Sequence, residues 1–196
     1  MVRDCTSQRR ARIEQVLRQR QPDLTLVLAN IHDPHNVSAI YRSCDAFGVP
    51  LVHLYYTDTP FPFLHKKTSA SARKWVDSKR HANPDSLFAA LRARNQTVLA
   101  TICSPQAKSP TEYDLTLPTA IIMGNEHSGV PEELLPKVDG EIYIPMCGMI
   151  QSFNVSVAAA LILSEAFRQR VQAGMYARMN WSEDEYQTLL QEWLNK

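Results

Sequence analysis

The sequence predicts an α/β fold built on a parallel sheet. Short apolar runs such as residues 24–30 and 119–124 alternate with amphipathic stretches of helical length. Polar loops rich in Asn, Ser, Gly or His follow three of these runs. A chain of 196 residues is long enough for one domain of this class with a sizeable core, and it contains no internal repeat.

The first predicted element is a basic amphipathic helix over residues 7–20. Ile13, Val16 and Leu17 share one side of it, and arginines occupy the other. Pro22 then ends the helix. We expect residues 1–21 to form this basic helix as a unit of its own.

The next stretch predicts a strand, a helix and a second strand. Residues 24–30 form a buried strand, and NVSAIYRSCDAFGV, residues 36–49, forms an amphipathic helix that begins at Asn36. Residues 49–56 form the second strand. Residues 57–82 are polar and lack a clear period, so we expect a long loop with one short helix.

The second half of the chain continues the alternation of strands and helices. Asn83 caps a helix whose first residue is Pro84, and Ser182 with Glu185 forms a capping box for the last helix. We expect residues 22–174 to form the main domain and residues 175–196 a helical extension. The further predicted elements are strands at 97–102, 119–124 and 140–146, a short helix at 130–138 and a long helix at 154–171.

Charge is uneven along a chain whose net charge is only +1. Residues 1–20 contain six arginines against two acidic residues, and residues 65–80 contain six Lys or Arg against one Asp. Two basic clusters in a nearly neutral chain favour a face that binds an anion such as nucleic acid. The alternative is that both segments are simply solvated.

Four cysteines lie far apart without a C-x-x-C pair, which predicts free thiols in a reducing cytoplasm. The apolar run at 157–167 is too short to span a membrane. His32 and His35 are spaced as H-x-x-H but lack a nearby third ligand, so we expect no metal site. These histidines fit hydrogen bonding within the loop, or contact with a phosphate.

Several common chemistries are excluded by their missing motifs. The segment GNEHSG continues with Val130 and Pro131, so it is not a Walker phosphate loop. The sequence also contains no G-x-G-x-x-G, which argues against a nucleotide-binding oxidoreductase, and no G-x-S-x-G nucleophile elbow.

Three polar loops remain as the candidate site. They are NIHDPHNVSAIYR at 30–42, GNEHSGVP at 124–131 and IPMCGMIQSFN at 144–154. Each follows a predicted strand at the edge where parallel sheets bind ligands, and each enters a helix whose N-terminal amides can hold an anion or a carbonyl. Three capped helices without a ligand are the alternative, but the three loops together favour a site.

These loops resemble the three motifs of the SpoU/TrmH family of RNA 2′-O-ribose methyltransferases, within the SPOUT superfamily. The resemblance covers residues 24 to 170 and rests on the spacing from Asn36 to Arg42, on Gly124-Asn125-Glu126 with Gly129, and on residues 144–158. It implies a parallel-sheet fold whose C-terminal part is tied in a deep trefoil knot. Knots are rare, so elementary packing rules would not have proposed one.

The resemblance also implies S-adenosylmethionine as cofactor, bound in the knot largely through backbone groups. The family works as a homodimer in which each active site draws on both chains. Phe153 departs from the leucine that is usual in the family, a change of apolar contact only. The residues implied to hold the cofactor are Thr101, Gly124, Ile144, Met149 and Phe153.

The catalytic residues implied by the resemblance are Asn36, Arg42, Glu126, Ser152 and Asn154. Family proposals make Arg42 the general base, but a guanidinium scarcely deprotonates in proteins. We expect Arg42 instead to hold the adjoining phosphate and stabilise the developing alkoxide. Asn36 would hold Arg42 or bond the nearby backbone, and Glu126 would orient the loops or pair with a guanidinium. Ser152 and Asn154 would cap the last knot helix and shape the site.

The basic N-terminal helix and the C-terminal segment WSEDEYQTLLQEWL resemble the TrmH branch, which methylates the D-loop guanosine of tRNA. The same chemistry on ribosomal RNA or a tRNA wobble ribose stays open, as does a non-catalytic RNA-binding protein with a retained knot. The predicted RNA contacts are Arg9, Arg12, Arg20, Arg168, Arg170 and Arg178 by resemblance, and Lys66, Lys67, Arg73 and Lys74 by charge.

Overall fold

A computed structural model describes residues 6–62 and 72–196 of the chain. In it, six strands form one parallel sheet, which confirms the predicted fold class. The strands are β1 (Leu24–Ala29), β2 (Leu51–Tyr55), β3 (Asp77–His81), β4 (Thr97–Thr101), β5 (Thr119–Met123) and β6 (Gly140–Ile142). The helices are α1 (Ser7–Arg18), α2 (Pro34–Ala46), α3 (Ala72–Trp75), α4 (Pro84–Arg92), α5 (Val155–Gln172) and α6 (Glu183–Asn195), with 3-10 turns at Pro110–Glu112 and Glu132–Lys137.

The strand order is β3-β2-β1-β5-β4-β6, so the sheet grows outward in both directions from the β1–β5 pair. Leu26 pairs with Val52 on one side and with Ile121 on the other. Because the strands are parallel, all their carboxyl ends meet at one edge. The order reverses direction between β1 and β5, and that is where doubly wound sheets leave a crevice for ligands.

β3 is an element that the sequence analysis missed. Residues 57–82 were expected to form a loop with one short helix, but Asp77–His81 pairs with β2 at the sheet edge. Four of its five residues are exposed, so the strand lacks the apolar alternation that identifies strands in a sequence. Charged side chains on such an edge discourage pairing with other chains.

α2 begins earlier than predicted. Its N-cap is Asp33, whose carboxylate accepts from the backbone N–H of His35 at 2.8 Å, and Pro34 is the first helical residue. Asn36 therefore lies inside the first turn and is buried, rather than capping the helix. Its side-chain amide is left available for contacts with other parts of the chain.

Apolar side chains pack on both faces of the sheet. α2 and α5 cover one face with a cluster that includes Ile40 and Ile162, and α4 covers the other through Leu87 and Leu91. A third, smaller cluster joins α1 to α6, and its buried members are Ile13, Leu17, Tyr186, Leu190 and Trp193. The first and the last helix therefore pack together.

Arg20, which we expected to face RNA, is completely buried. Its guanidinium pairs with the Asp45 carboxylate at 2.5 Å and also donates to the backbone carbonyls of Asp45 and Val49. The prediction was wrong because Arg20 lies beyond the end of α1, so the solvent-facing side of that helix does not include it.

Arg170 is a second correction of the same kind. Its side chain is fully buried, pairs with Asp23 at 2.5 Å and donates to the backbone carbonyl of Leu115. On α5 it follows Ala166 by one helical turn, and Ala166 belongs to the buried stripe of that helix. Helical periodicity alone places Arg170 on the inner face.

Candidate active site

A cleft of about 370 Å³ opens at the carboxyl edge of the sheet, between the loops that follow β4, β5 and β6. Its volume lies within the range of small-molecule sites. Four residues expected to hold the cofactor line it: Thr101, Gly124, Ile144 and Phe153. The fifth, Met149, is 99% exposed and does not line this cleft, so the structure does not bring it together with the other four.

The floor of the cleft is set by contacts of Thr101 and Gly124. The Thr101 hydroxyl donates to the Ile122 carbonyl at 2.9 Å and accepts from the Gly124 N–H at 3.4 Å. A Cβ at Gly124 would lie 2.4 Å from the carbonyl carbon of Gly129. This distance is too short for any side chain, so position 124 requires glycine. The glycine at 124 thus lets two backbone segments approach each other closely at the cleft.

Three loops are joined by a chain of amide and carboxylate groups at one side of the cleft. The Asn36 amide nitrogen donates to the Glu126 carboxylate at 2.6 Å, and the Asn154 amide nitrogen donates to the Asn36 oxygen at 2.9 Å. Glu126 and Asn154 line the cleft. Sequence reasoning predicted that these residues share a site, but it did not predict that Asn36 bonds Glu126.

Asn154 is the N-cap of α5, because its side-chain oxygen accepts from the Ser156 N–H at 2.9 Å. The same residue therefore orders the helix start and the amide network. Ser152, also expected as a cap, lies two residues earlier, is exposed and lines the cleft. The prediction of a cap role is confirmed for Asn154 and wrong for Ser152.

Asn125 is a structural residue of the site to which sequence reasoning assigned no role. It is buried, and its backbone bridges to Gly129 through bonds of 2.8 and 3.0 Å that close the 124–129 turn. Its side chain donates to the carbonyl of Asn30 at 2.5 Å, which ties this turn to the end of β1. An Asn within a Gly-bounded turn was the available signal.

The loop after β1 is held by a second set of bonds. Asn30 has a positive φ of 51°, and its side-chain oxygen accepts from the backbone N–H of Thr57 at 3.0 Å. The Tyr56 hydroxyl donates to the Ile31 carbonyl at 3.1 Å, and burial raises the pKa of Tyr56 well above its usual value. Tyr56 thus stays protonated and keeps its hydrogen bond at every physiological pH.

Arg42 stands apart from this network. Its side chain is exposed on α2, and within residues 6–62 and 72–196 it makes no hydrogen bond or ion pair. The structure of one chain therefore does not bring Arg42 together with Asn36, Glu126 and Asn154. A guanidinium with its donors available can bind an anion that comes from outside this chain.

The remaining predicted RNA contacts differ in how freely they can bind a phosphate. Arg12 and Arg178 are exposed, although Arg12 donates to Gln15 at 3.1 Å, and Arg9 is half-buried. Arg168 is exposed but already pairs with Glu165 at 2.7 Å. Arg73 and Lys74 are exposed on α3, whereas Lys66 and Lys67 lie outside the described residues.

Across residues 6–62 and 72–196, no group of three or more His, Cys, Asp or Glu side chains is arranged to hold a metal ion. Over the same residues, no helix has the length and apolar character needed to cross a membrane. Cys44, Cys103 and Cys147 are free thiols.

Comparison with known proteins defines the class to which this site belongs. Residues 23–164 match the model of the SpoU rRNA Methylase family, and the chain belongs to that family. It is 48% identical over 195 residues to the tRNA (guanosine(18)-2'-O)-methyltransferase of Thermus thermophilus, covering 100% of both chains.

Two solved structures are also similar. The crystal structure of an A. aeolicus TrmH/SpoU tRNA modifying enzyme matches with a TM-score of 0.89 and 38% identity, covering 95% of each chain. The SpoU methyltransferase AviRb from Streptomyces viridochromogenes, in complex with the cofactor AdoMet, matches with a TM-score of 0.70 and 25% identity. That match covers 78% of this chain and 62% of AviRb. The knot implied for the C-terminal part stays a prediction.

Proposed function

We propose that this protein transfers a methyl group from S-adenosylmethionine to a ribose 2′-hydroxyl of tRNA, at guanosine 18. The observation that carries the proposal is the bonded series Glu126–Asn36–Asn154, which joins the three family loops beside the cleft. Full-length identity of 48% to a tRNA (guanosine(18)-2'-O)-methyltransferase supports the choice of RNA and nucleotide.

The cleft fits the cofactor by its chemistry as well as its volume. Ile102, Ile144 and Phe153 would offer apolar contacts for an adenine ring, and Gly124 leaves the cleft without a side chain at that position. When bound, S-adenosylmethionine supplies a sulfonium-activated methyl group, which is already a strong electrophile. The protein therefore has to place the nucleophile rather than activate the methyl group.

The reaction is an in-line displacement at the methyl carbon. A bond forms between the ribose oxygen and the methyl carbon while the carbon–sulfur bond breaks, and the hydroxyl proton leaves to a phosphate oxygen or water. Asn36 and Asn154 hold the loops that bound the ribose position. We assign Arg42 to the phosphate next to that ribose, where its guanidinium also stabilises the developing alkoxide.

We further propose that the protein acts as a homodimer, because α5 has an apolar face that its own chain leaves uncovered. Val157, Leu161 and Val171 are each more than two-fifths exposed, at helical spacings that put them on one side. Exposed apolar side chains in one stripe are typical of an interface. Since the family resemblance implies an active site that draws on both chains, we assign the partner's Arg42 to the shared site.

The proposed phosphate contacts outside the cleft are half-buried Arg9 and exposed Arg12 on α1, together with exposed Arg178. The cytoplasm is the proposed compartment, since free thiols such as Cys103 and Cys147 persist there.

The proposal is tested by methyl transfer from radiolabelled cofactor to total tRNA and, separately, to ribosomal RNA, in buffer containing EDTA. We expect label in tRNA alone, at a single ribose that resists alkaline cleavage, and no loss of activity on chelation. Label confined to ribosomal RNA would show that ribosomal RNA, rather than tRNA, is the substrate. Absence of transfer to either RNA, with intact cofactor binding, would favour a protein that only binds RNA.

A further inference from the structure

The side chain of Asn125 has its orientation fixed by the backbone. Its oxygen accepts from the N–H groups of His127 at 2.7 Å and Ser128 at 3.2 Å. The amide nitrogen therefore points the other way, where it contacts the Asn30 carbonyl at 2.5 Å and Nδ1 of His32 at 3.1 Å. Every hydrogen-bonding group of this amide is used.

This arrangement determines which nitrogen of His32 carries the proton. An amide NH₂ can only donate, so Nδ1 of His32 must accept and cannot hold a proton. A neutral imidazole then carries its single proton on Nε2. Protonating Nδ1 as well would set two donors against each other at 3.1 Å.

His32 lies next to the cleft, because its partner Asn125 is one of the residues that line it. Its side chain is exposed in the loop between β1 and α2, and Nε2 meets no acceptor within the parts of the chain that the structure describes. The residue that follows its partner Asn125 is Glu126, which lines the cleft and bonds Asn36. The Nε2–H group of His32, a donor without an acceptor among the described residues, thus lies next to the proposed methyl-transfer site.

We propose that His32 is a positioning residue for the RNA substrate, with its neutral Nε2–H donating to a phosphate oxygen beside the target ribose. Phosphate oxygens are the commonest acceptors for proteins that bind nucleic acid, and an N–H donor can hold one without adding charge. The inference rests on the proposed RNA substrate. It assigns His32 two contacts: Nδ1 holds the loop, and Nε2 holds the RNA.

Two substitutions separate these contacts. In His32→Asn, the shorter side chain keeps an acceptor near the Nδ1 position and loses the outward donor. In His32→Gln, the longer side chain carries an N–H near the Nε2 position and loses the inner acceptor. We expect His32→Asn to raise the KM for RNA by about tenfold, with kcat, cofactor affinity and melting temperature unchanged. His32→Gln should keep the RNA KM near that of the unmodified protein and lower only the melting temperature.

A raised RNA KM in His32→Gln with a normal RNA KM in His32→Asn would show that His32 only holds the loop, and it would overturn the proposal. Equal RNA KM values for the two variants, whether normal or raised, would overturn it too. The salt dependence adds a further check. A neutral donor releases no counterion, so His32→Asn should keep the slope of log KM against log salt, whereas a loss of about one unit would mean a charged imidazolium.

The protonation state is measured without RNA by NMR of protein labelled with ¹⁵N-histidine. The His32 resonances, identified by their loss in His32→Asn, should show a bare Nδ1 and a protonated Nε2 at neutral pH. The opposite tautomer would overturn the inference even if the methyl-transfer assay succeeds. Conversely, the expected tautomer with no RNA methylation would count against the proposed function and, through it, the phosphate contact.

Discussion

The Asn36 amide donates to the Glu126 carboxylate across 2.6 Å, although the two residues are 90 positions apart in the chain. The bond connects the first turn of α2 to the turn that follows β5. Asn154 extends the connection to the start of α5 by donating to the Asn36 oxygen. Asn36 is the only one of the three that is bonded to both of the others, so its removal tests the whole arrangement.

Asn36→Ala should lower kcat by about 100-fold, because small displacements of positioning groups have effects of this size. Single-turnover methylation at saturating cofactor measures the change. Asn83→Ala is the matched control: Asn83 caps α4 through the Ser86 N–H at 2.8 Å, and its loss lowers the free energy of unfolding by about 1 kcal/mol. Equal loss of activity in the two variants would contradict a positioning role for Asn36.

Arg42→Ala should abolish turnover while cofactor affinity stays within about twofold, since Arg42 does not line the cleft. Arg42→Lys should fail as well, because an ammonium cannot reproduce the planar guanidinium fork. Calorimetry with the cofactor and a methylation assay measure the two quantities. Appreciable turnover by the lysine variant would reduce Arg42 to an ordinary surface residue. Arg94→Lys, at another exposed arginine, is the control.

Exposed and buried arginines should respond differently to removal. Arg12→Ala should weaken tRNA binding and flatten its salt dependence by about one unit, with an unchanged melting temperature. Arg170→Ala should instead lower the free energy of unfolding by about 3 kcal/mol, because it leaves the Asp23 carboxylate without its partner. tRNA affinity at several salt concentrations, beside a melting curve, separates the two effects.

Point substitutions in α1 test the tRNA contact more cleanly than deletion of the first 20 residues. Ile13 and Leu17 pack against α6, so the deletion would expose Tyr186 and Trp193. Loss of tRNA binding in that truncation would mix lost contacts with lost folding. A flattened salt slope in Arg9→Ala or Arg12→Ala avoids this, and unchanged slopes in both would rule out the α1 contact.

Stability should fall in mild acid because of a buried histidine pair. Nδ1 of His53 lies 2.8 Å from Nε2 of His81, and burial together with the charge of His81 lowers the pKa of His53 to about 3. The unfolded chain, with an ordinary histidine pKa of about 6.5, binds the proton first. The neutral form therefore stabilises the fold above pH 6.5, and this contribution is lost as pH falls from 6.5 toward 3.

Between pH 7 and pH 5 this one residue should account for about 2 kcal/mol of lost unfolding free energy. Urea unfolding of the unmodified protein and of His53→Gln at both pH values measures it, and the variant should lose less on acidification. His127→Gln, at an exposed histidine, is the control. An identical pH dependence in His53→Gln would contradict the lowered pKa.

Leu161→Asp should convert the proposed homodimer to a monomer at micromolar concentration, because a carboxylate would be buried at the centre of the α5 face. Light scattering gives the mass, and the methylation assay should show activity lost with the dimer. Leu135→Asp is the control, since Leu135 is also partly exposed but lies beside the cluster on the opposite face of the sheet. A fully active monomer would overturn the shared site.

The sequence by itself determined the fold class, most elements and the three loops of the site. Strands such as β1 and β5 are buried on both faces, so their side chains form continuous apolar runs that stand out in a sequence. The N-cap at Asn83 and the capping box of Ser182 and Glu185 could also be predicted, because a capping hydrogen bond spans only a few residues. β3 was missed because an exposed edge strand has no such pattern.

Only the tertiary structure decided which polar groups meet. The order of strands places the turn after β5 beside the loop after β1, and this brings Asn125 to His32 and Glu126 to Asn36. It also buries Arg20 against Asp45, a partner 25 positions away. Local periodicity reports which side of an element is apolar, but a hydrogen bond between distant residues depends on how the elements pack, which no short stretch of sequence specifies.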